Sequence, residues 1–140
     1  MAPAVILSVV AFIAGHPTQV ACDPTLNGHP AGIAWTAYGS SKIYAAPDIC
    51  TDAAQPVDSW QFAYALGTFI HEAAHARGIR SESCAELVAD IGVYDVLRRF
   101  YNIPFFTVES ETIGGTVLAN SHRRGPEYQP EACWATGTLR

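Results

Sequence analysis

From Trp60 to Ile70 nearly every position is apolar, and the run leads into His71-Glu72-Ala73-Ala74-His75-Ala76-Arg77-Gly78. An apolar stretch with no polar face predicts a helix enclosed by protein. Asp58 and Gln61 stand at capping-box spacing with Pro56 just outside, so the helix should start near Asp58. It should stop at Gly78, the residue that most readily takes the left-handed C-terminal conformation. Ser81 can cap a second helix running to Arg99 or Phe100, apolar at Ala85, Leu87, Val88, Ile91, Val96 and Phe100. Arg98 and Arg99 suit its negative end, and Asn102-Ile103-Pro104 terminates it. Only Gly78-Ile79-Arg80 separates the two helices, which predicts an antiparallel helical hairpin. A third helix is open to Phe106–His122, weakened by Gly114-Gly115. The tail after Gly125 reads as irregular.

The first half of the chain carries a different pattern. Thr18 to Cys22, Ala31 to Ala37 and Lys42 to Ala46 read as short strands, divided by turn signals at Asp23-Pro24, Gly28-His29-Pro30 and Gly39-Ser40-Ser41. Together they predict a small antiparallel sheet. Ahead of them, Ala4 to Ala14 (AVILSVVAFIA) holds no charge. It is long enough for the core of a targeting segment but too short to span a bilayer, and no positive residue precedes it. A buried first helix, or helix then strand, is the expected state. The fold class is α+β, with one domain over residues 1–140 and no linker or low-complexity segment.

Composition narrows the function. With 49% hydrophobic and 15% charged residues, the chain can bury a core. The net charge of -5 comes without any run of Lys or Arg. Neither nucleic acid nor stable membrane insertion is therefore expected. Cys22, Cys50, Cys84 and Cys133 form no Cys-x-x-Cys pair, which excludes a zinc ribbon or a thioredoxin-type site. Pairing Cys22–Cys50 would tie strand ends, and Cys84–Cys133 would tie the C-terminal segment to the second helix. Both together would mark an oxidising compartment. The alternative is four buried thiols.

The chemistry lies in His71-Glu72-x-x-His75. Residues four apart share one helix face, so both imidazoles can bind one Zn²⁺ while Glu72 stands beside the open position as a general base. On a buried helix these polar groups need a partner, and a metal supplies it. A third ligand must come from Glu82, Glu86 or Asp90, one face of the second helix. Side chains lean toward their own helix N-terminus, which favours Glu86, with Asp90 accepting from the outer nitrogen of a ligating His. Glu82 is the alternative. Tyr128 and His122 are the C-terminal groups able to stabilise a tetrahedral intermediate. His16 and His29 read as turn residues, and Trp35, Tyr38, Trp60 and Trp134 as core.

His71-Glu72-x-x-His75 followed by Glu86-Leu87-Val88-Ala89-Asp90 resembles the HExxH…ExxxD arrangement of gluzincin metallopeptidases. The stretch His71 to Arg80 with Glu82 and Glu86 is also similar to a group of small proteins of this type, in which a Tyr and a Cys, here Tyr128 and Cys133, recur. The resemblance implies a zincin-like fold in which an edge strand of a small sheet, here Lys42 to Ala46, holds an extended peptide or protein substrate. It implies Zn²⁺ on His71, His75 and Glu86, Glu72 as base and Tyr128 as electrophile, the whole being a metalloprotease. The ten residues between His75 and Glu86 are fewer than gluzincins usually have, so Glu82 stays in play. The competing expectation is a non-catalytic protein in which zinc only clamps the helical hairpin, with a fourth protein ligand closing the shell.

Overall fold

The computed structural model describes residues 1–26 and 34–136. Its elements in chain order are α1 (Ala4–Ala14), β1 (Gln19–Cys22), β2 (Ala34–Thr36), β3 (Lys42–Ala45), α2 (Pro47–Asp52), α3 (Trp60–Arg77), α4 (Glu82–Tyr101), α5 (Val108–His122) and α6 (Pro130–Thr136). Short 3-10 turns cover Pro24–Leu26 and Pro126–Tyr128. The class is α+β. Gly28-His29-Pro30 and the first part of the expected strand Ala31–Ala37 fall outside the described residues.

The central element is α3, which packs against α1, α2, α4, α5 and the sheet. Phe62, Leu66, Phe69 and Ile70 on it are fully enclosed. Burying each such side chain contributes roughly 1.5–3 kcal/mol, so its nearly continuous apolar sequence makes α3 the natural axis of the core. The charge-free α1 is a helix over the expected residues, and Ile6, Val9, Val10 and Ile13 on its inner face join the same core. No helix among the described residues is long and apolar enough to cross a membrane.

The sheet differs from expectation. Its order is β1-β3-β2, with β3 parallel to β1 and antiparallel to β2. It is therefore mixed, and Lys42–Ala45 is its central strand rather than an edge. The β2–β3 hairpin turns through Gly39 at a positive φ of 73°, and β1 then adds to the far side of β3. Sequence pattern fixes which residues face the core, Ile43 and Ala45 here, but not which neighbour each edge acquires.

Helix ends follow local chemistry with one shift. Ser59, not Asp58, caps α3 by accepting from the Phe62 N–H. Ser81 caps α4 and Thr107 caps α5 in the same way. Gly78 ends α3 with φ of 112°. The segment after Gly125 is not irregular: it forms a turn and α6, held by the Cys84–Cys133 disulfide. The second disulfide, Cys22–Cys50, joins the end of β1 to α2. Both pairings are the expected ones, and they fit an oxidising compartment.

Gly114 and Gly115 weaken α5 by propensity, yet only one of them is required. A Cβ on Gly114 would lie 2.3 Å from the Tyr94 hydroxyl, whereas one on Gly115 meets nothing within 4 Å. Gly114→Ala should therefore destabilise the protein by about 1–3 kcal/mol through overpacking. Gly115→Ala should stabilise it by about 0.5–1 kcal/mol through helix propensity. Thermal unfolding of the two variants side by side checks the opposite signs.

Candidate metal centre

His71 and His75 sit on the last turns of α3 with Glu72 between them, and all three are buried. Two anchors aim the rings. The Nδ1 of His75 lies 2.6 Å from the Ile79 carbonyl oxygen in the interhelical turn. A carbonyl only accepts, so Nδ1 carries the hydrogen and Nε2 is left with its lone pair. His71 Nδ1 lies 2.7 Å from Glu86 Oε1, a close ionic contact bent out of hydrogen-bond geometry. The Nε2 atoms then face each other at 3.1 Å.

Glu82 completes the convergence. Its Oε1 is in direct contact with His75 Nε2 and lies 3.6 Å from His71 Nε2. Glu86 does not reach that point, because it faces the outer nitrogen of His71. Each acidic residue thus stands one helical turn earlier in its task than expected. Glu82 meets the inner nitrogens, Glu86 takes the outer-nitrogen place, and Asp90 lies on Ser121 instead, with Oδ1 2.9 Å from its hydroxyl. The physical reason is the turn. Gly78 in the left-handed conformation carries Ile79 back so that its carbonyl anchors the His75 ring. The first turn of α4 is therefore brought level with both histidines.

Glu72 points into the same space. One oxygen of it and one nitrogen of each histidine lie within 4.8 Å of one another, and its Oε2 is buried with no hydrogen-bond partner among the described residues. Burial raises its pKa, and the neighbouring His71 and His75 only partly oppose this. Burial by itself would lower His71, but Glu82, Glu86 and Glu72 outweigh it and hold the ring at about 9. Burial would raise Glu82, yet the His71 and His75 rings against it pull it well below the ordinary carboxylate range. Glu86 is lowered against its own burial by His71 and by Arg124, whose Nη1 donates to Oε1 at 2.7 Å.

Tyr128, in the turn before α6, reaches the cluster. Its hydroxyl faces Glu82 and its ring stands 6.0 Å from that of His71. Burial and the Glu82 carboxylate push it up to about 12, so it remains a phenol and a donor. His122 does not reach; it pairs with Glu131 at 2.9 Å on the surface. His16 Nε2 lies 3.0 Å from the Ala76 carbonyl oxygen, a structural role beside the end of α3. Trp35, Tyr38, Trp60 and Trp134 are all exposed rather than core. Tyr38 lies against His75 with ring centres 5.5 Å apart, and Gly39 N–H donates to the His75 carbonyl, so the β2–β3 turn borders the site.

The residues that pattern alone did not bring forward are Ile79, Ser121 and Arg124. Ser121 had a signal: with Ser110, Gly114 and Val117 it falls on the buried stripe of α5, where a polar side chain needs a partner. Arg124 and a backbone carbonyl carry no such signal. Comparison with family models, with curated proteins and with solved structures gives no match.

The geometry of the site suits a divalent ion. Two nitrogens each about 2.0–2.1 Å from a tetrahedral zinc stand about 3.3 Å apart, close to the 3.1 Å found here. Two ring nitrogens and a carboxylate oxygen converge on one buried point, a place where polar groups left unmatched are costly. The donor set, two imidazoles and a carboxylate, is one that zinc uses in hydrolytic sites.

The Tyr128 turn is held to α4 by Cys84–Cys133, two residues beyond Glu82. Replacing both cysteines with Ser should cost about 2–4 kcal/mol, as expected for loss of a native cross-link. Tyr128 fluorescence should also become more accessible to an added quencher. Unchanged melting in the double variant would count against this tether.

Proposed function

We propose that this protein is a zinc-dependent peptide hydrolase of zincin-like type, with the metal held by His71, His75 and Glu82. The observation that carries the reading is the meeting of both Nε2 atoms and Glu82 Oε1 beside the buried, unpartnered oxygen of Glu72. Zinc bound there would supply a coordinated water acidified toward neutral pH and a Lewis acid for the scissile carbonyl. The chain's own groups do the rest. Glu72, raised by burial, would take a proton from the attacking water and later deliver it to the leaving amine. Tyr128, kept as a phenol, would donate a hydrogen bond to the developing oxyanion. Glu86 orients the His71 ring from behind.

Substrate would enter from the half-exposed side, past Glu82, Tyr128 and Tyr38. Because β3 is paired on both sides, an extended peptide would add to β2, the edge strand packed nearest α3. A zinc clamp without catalysis would need a fourth protein donor. Such a shell would hold Glu82 and Glu86 side by side, whereas Glu86 is turned to the outer nitrogen of His71. The disulfides favour a secreted or other oxidising setting for this activity.

Glu72→Gln should retain zinc and lose peptide hydrolysis by about 10²–10⁴-fold, the worth of a positioned general base. Metal content and cleavage of a broad peptide library, measured in parallel with wild type, test this. A wild type that holds zinc yet cleaves nothing would point to the clamp instead. Glu86→Ala should weaken zinc binding by about 10–100-fold, as for an outer-shell partner. Glu82→Ala should weaken it further; the reverse order would return the ligand role to Glu86.

A further inference from the structure

Behind the cluster, Glu86 is held from α5 and the turn that follows it. Its Oε1 accepts from Arg124, and its Oε2 accepts the hydroxyl hydrogen of Ser121. Ser121 has 0% exposure. The same Oγ lies 2.9 Å from Asp90 Oδ1 and 3.3 Å from the Val117 carbonyl oxygen. A serine hydroxyl has one hydrogen to give. Three acceptor oxygens therefore compete for it.

If both carboxyl groups were ionised, a part-buried anionic oxygen would face a lone pair across 2.9 Å, an arrangement that leaves an acceptor short of a donor. The conflict ends when one carboxyl group brings its own hydrogen. Glu86 is not that group, since the His71 ring and the Arg124 guanidinium both touch it. Among the described residues Asp90 forms no ion pair. Around it stand Glu86 and Tyr94 on α4, His122 on α5 and Glu131 on α6, and His122 is already engaged by Glu131. The second oxygen of Asp90 is buried with no hydrogen-bond partner among the described residues. Burial raises Asp90 to about 6 even with Ser121 donating to it.

The geometry points to a one-way relay, Asp90 to Ser121 to Glu86, in which Asp90 in its acid form donates to Ser121 and so aims that hydroxyl at Glu86, the carboxylate that stands against His71 Nδ1. Asp90 and Ser121 are positioning residues, acting on a metal only through the grip of Glu86 on the outer nitrogen of His71. The consequence for zinc rests on the metal reading above; the direction of the hydrogen bonds does not.

Two measurements on the full chain test it. Carbon-13 NMR of the carboxyl groups in metal-free protein should show one aspartate titrating at about 6 or above, absent in Asp90→Asn. Zinc titration should show Ser121→Ala binding about 10-fold more weakly, Ser121→Thr recovering most of that loss, and Asp90→Asn within about twofold of wild type. The visible spectrum of cobalt-loaded protein is read alongside, because a loosened His71 ring alters it and a merely less stable fold does not. An Asp90 that titrates at the ordinary aspartate value of about 4 overturns the relay. So does a Ser121→Ala variant with wild-type zinc affinity and spectrum. If wild type binds no zinc, the metal reading fails by itself, and the NMR titration still decides the relay.

Discussion

Two imidazole nitrogens 3.1 Å apart with a carboxylate oxygen against them make the constraint on which this structure turns. Groups that only accept repel one another, and burial removes the water that would otherwise separate them. Such an arrangement is tolerable when a proton or a metal ion stands at the meeting point. Burial opposes charge on both, yet the acidic neighbours raise His71 and the two rings lower Glu82, so each favours the charged form of the other.

What aims His75 and brings Glu82 to it is local to one turn. α3 is enclosed by apolar neighbours, so its last residues have a fixed position relative to the core. Gly78 alone can take the left-handed conformation without strain, and the chain then doubles back through Ile79. The Ile79 carbonyl fixes one ring, and the Ser81 cap starts α4 at once, so Glu82 arrives in the first turn. The β2–β3 hairpin closes the other side through the Gly39 hydrogen bond to the His75 carbonyl.

Around that turn lies a second layer with a different purpose. Arg124 and Ser121 hold Glu86, Glu86 faces His71, and the Cys84–Cys133 disulfide keeps Tyr128 within reach of Glu82. These groups come from α5, the turn after it and α6, the parts of the chain with the weakest local signals. A polar layer of this kind is costly when half satisfied and rigid when complete. That gives a physical reason for a buried serine on an otherwise apolar stripe.

The sequence by itself determined what short-range forces decide. His71, Glu72 and His75 share a helix face because of helical periodicity, Gly78 and Ser81 bound the turn by their backbone chemistry, and the charge-free first segment forms a helix. Only the tertiary structure decided the rest. Whether Glu82 or Glu86 meets the histidines depends on how far one helix slides past another, and a shift of one turn, about 5.4 Å, exchanges them. The strand order is a matter of which edge β1 joins, and the exposure of Trp35, Tyr38, Trp60 and Trp134 depends on what packs over them. Neither is written in periodicity, because both are set by contacts between segments distant along the chain.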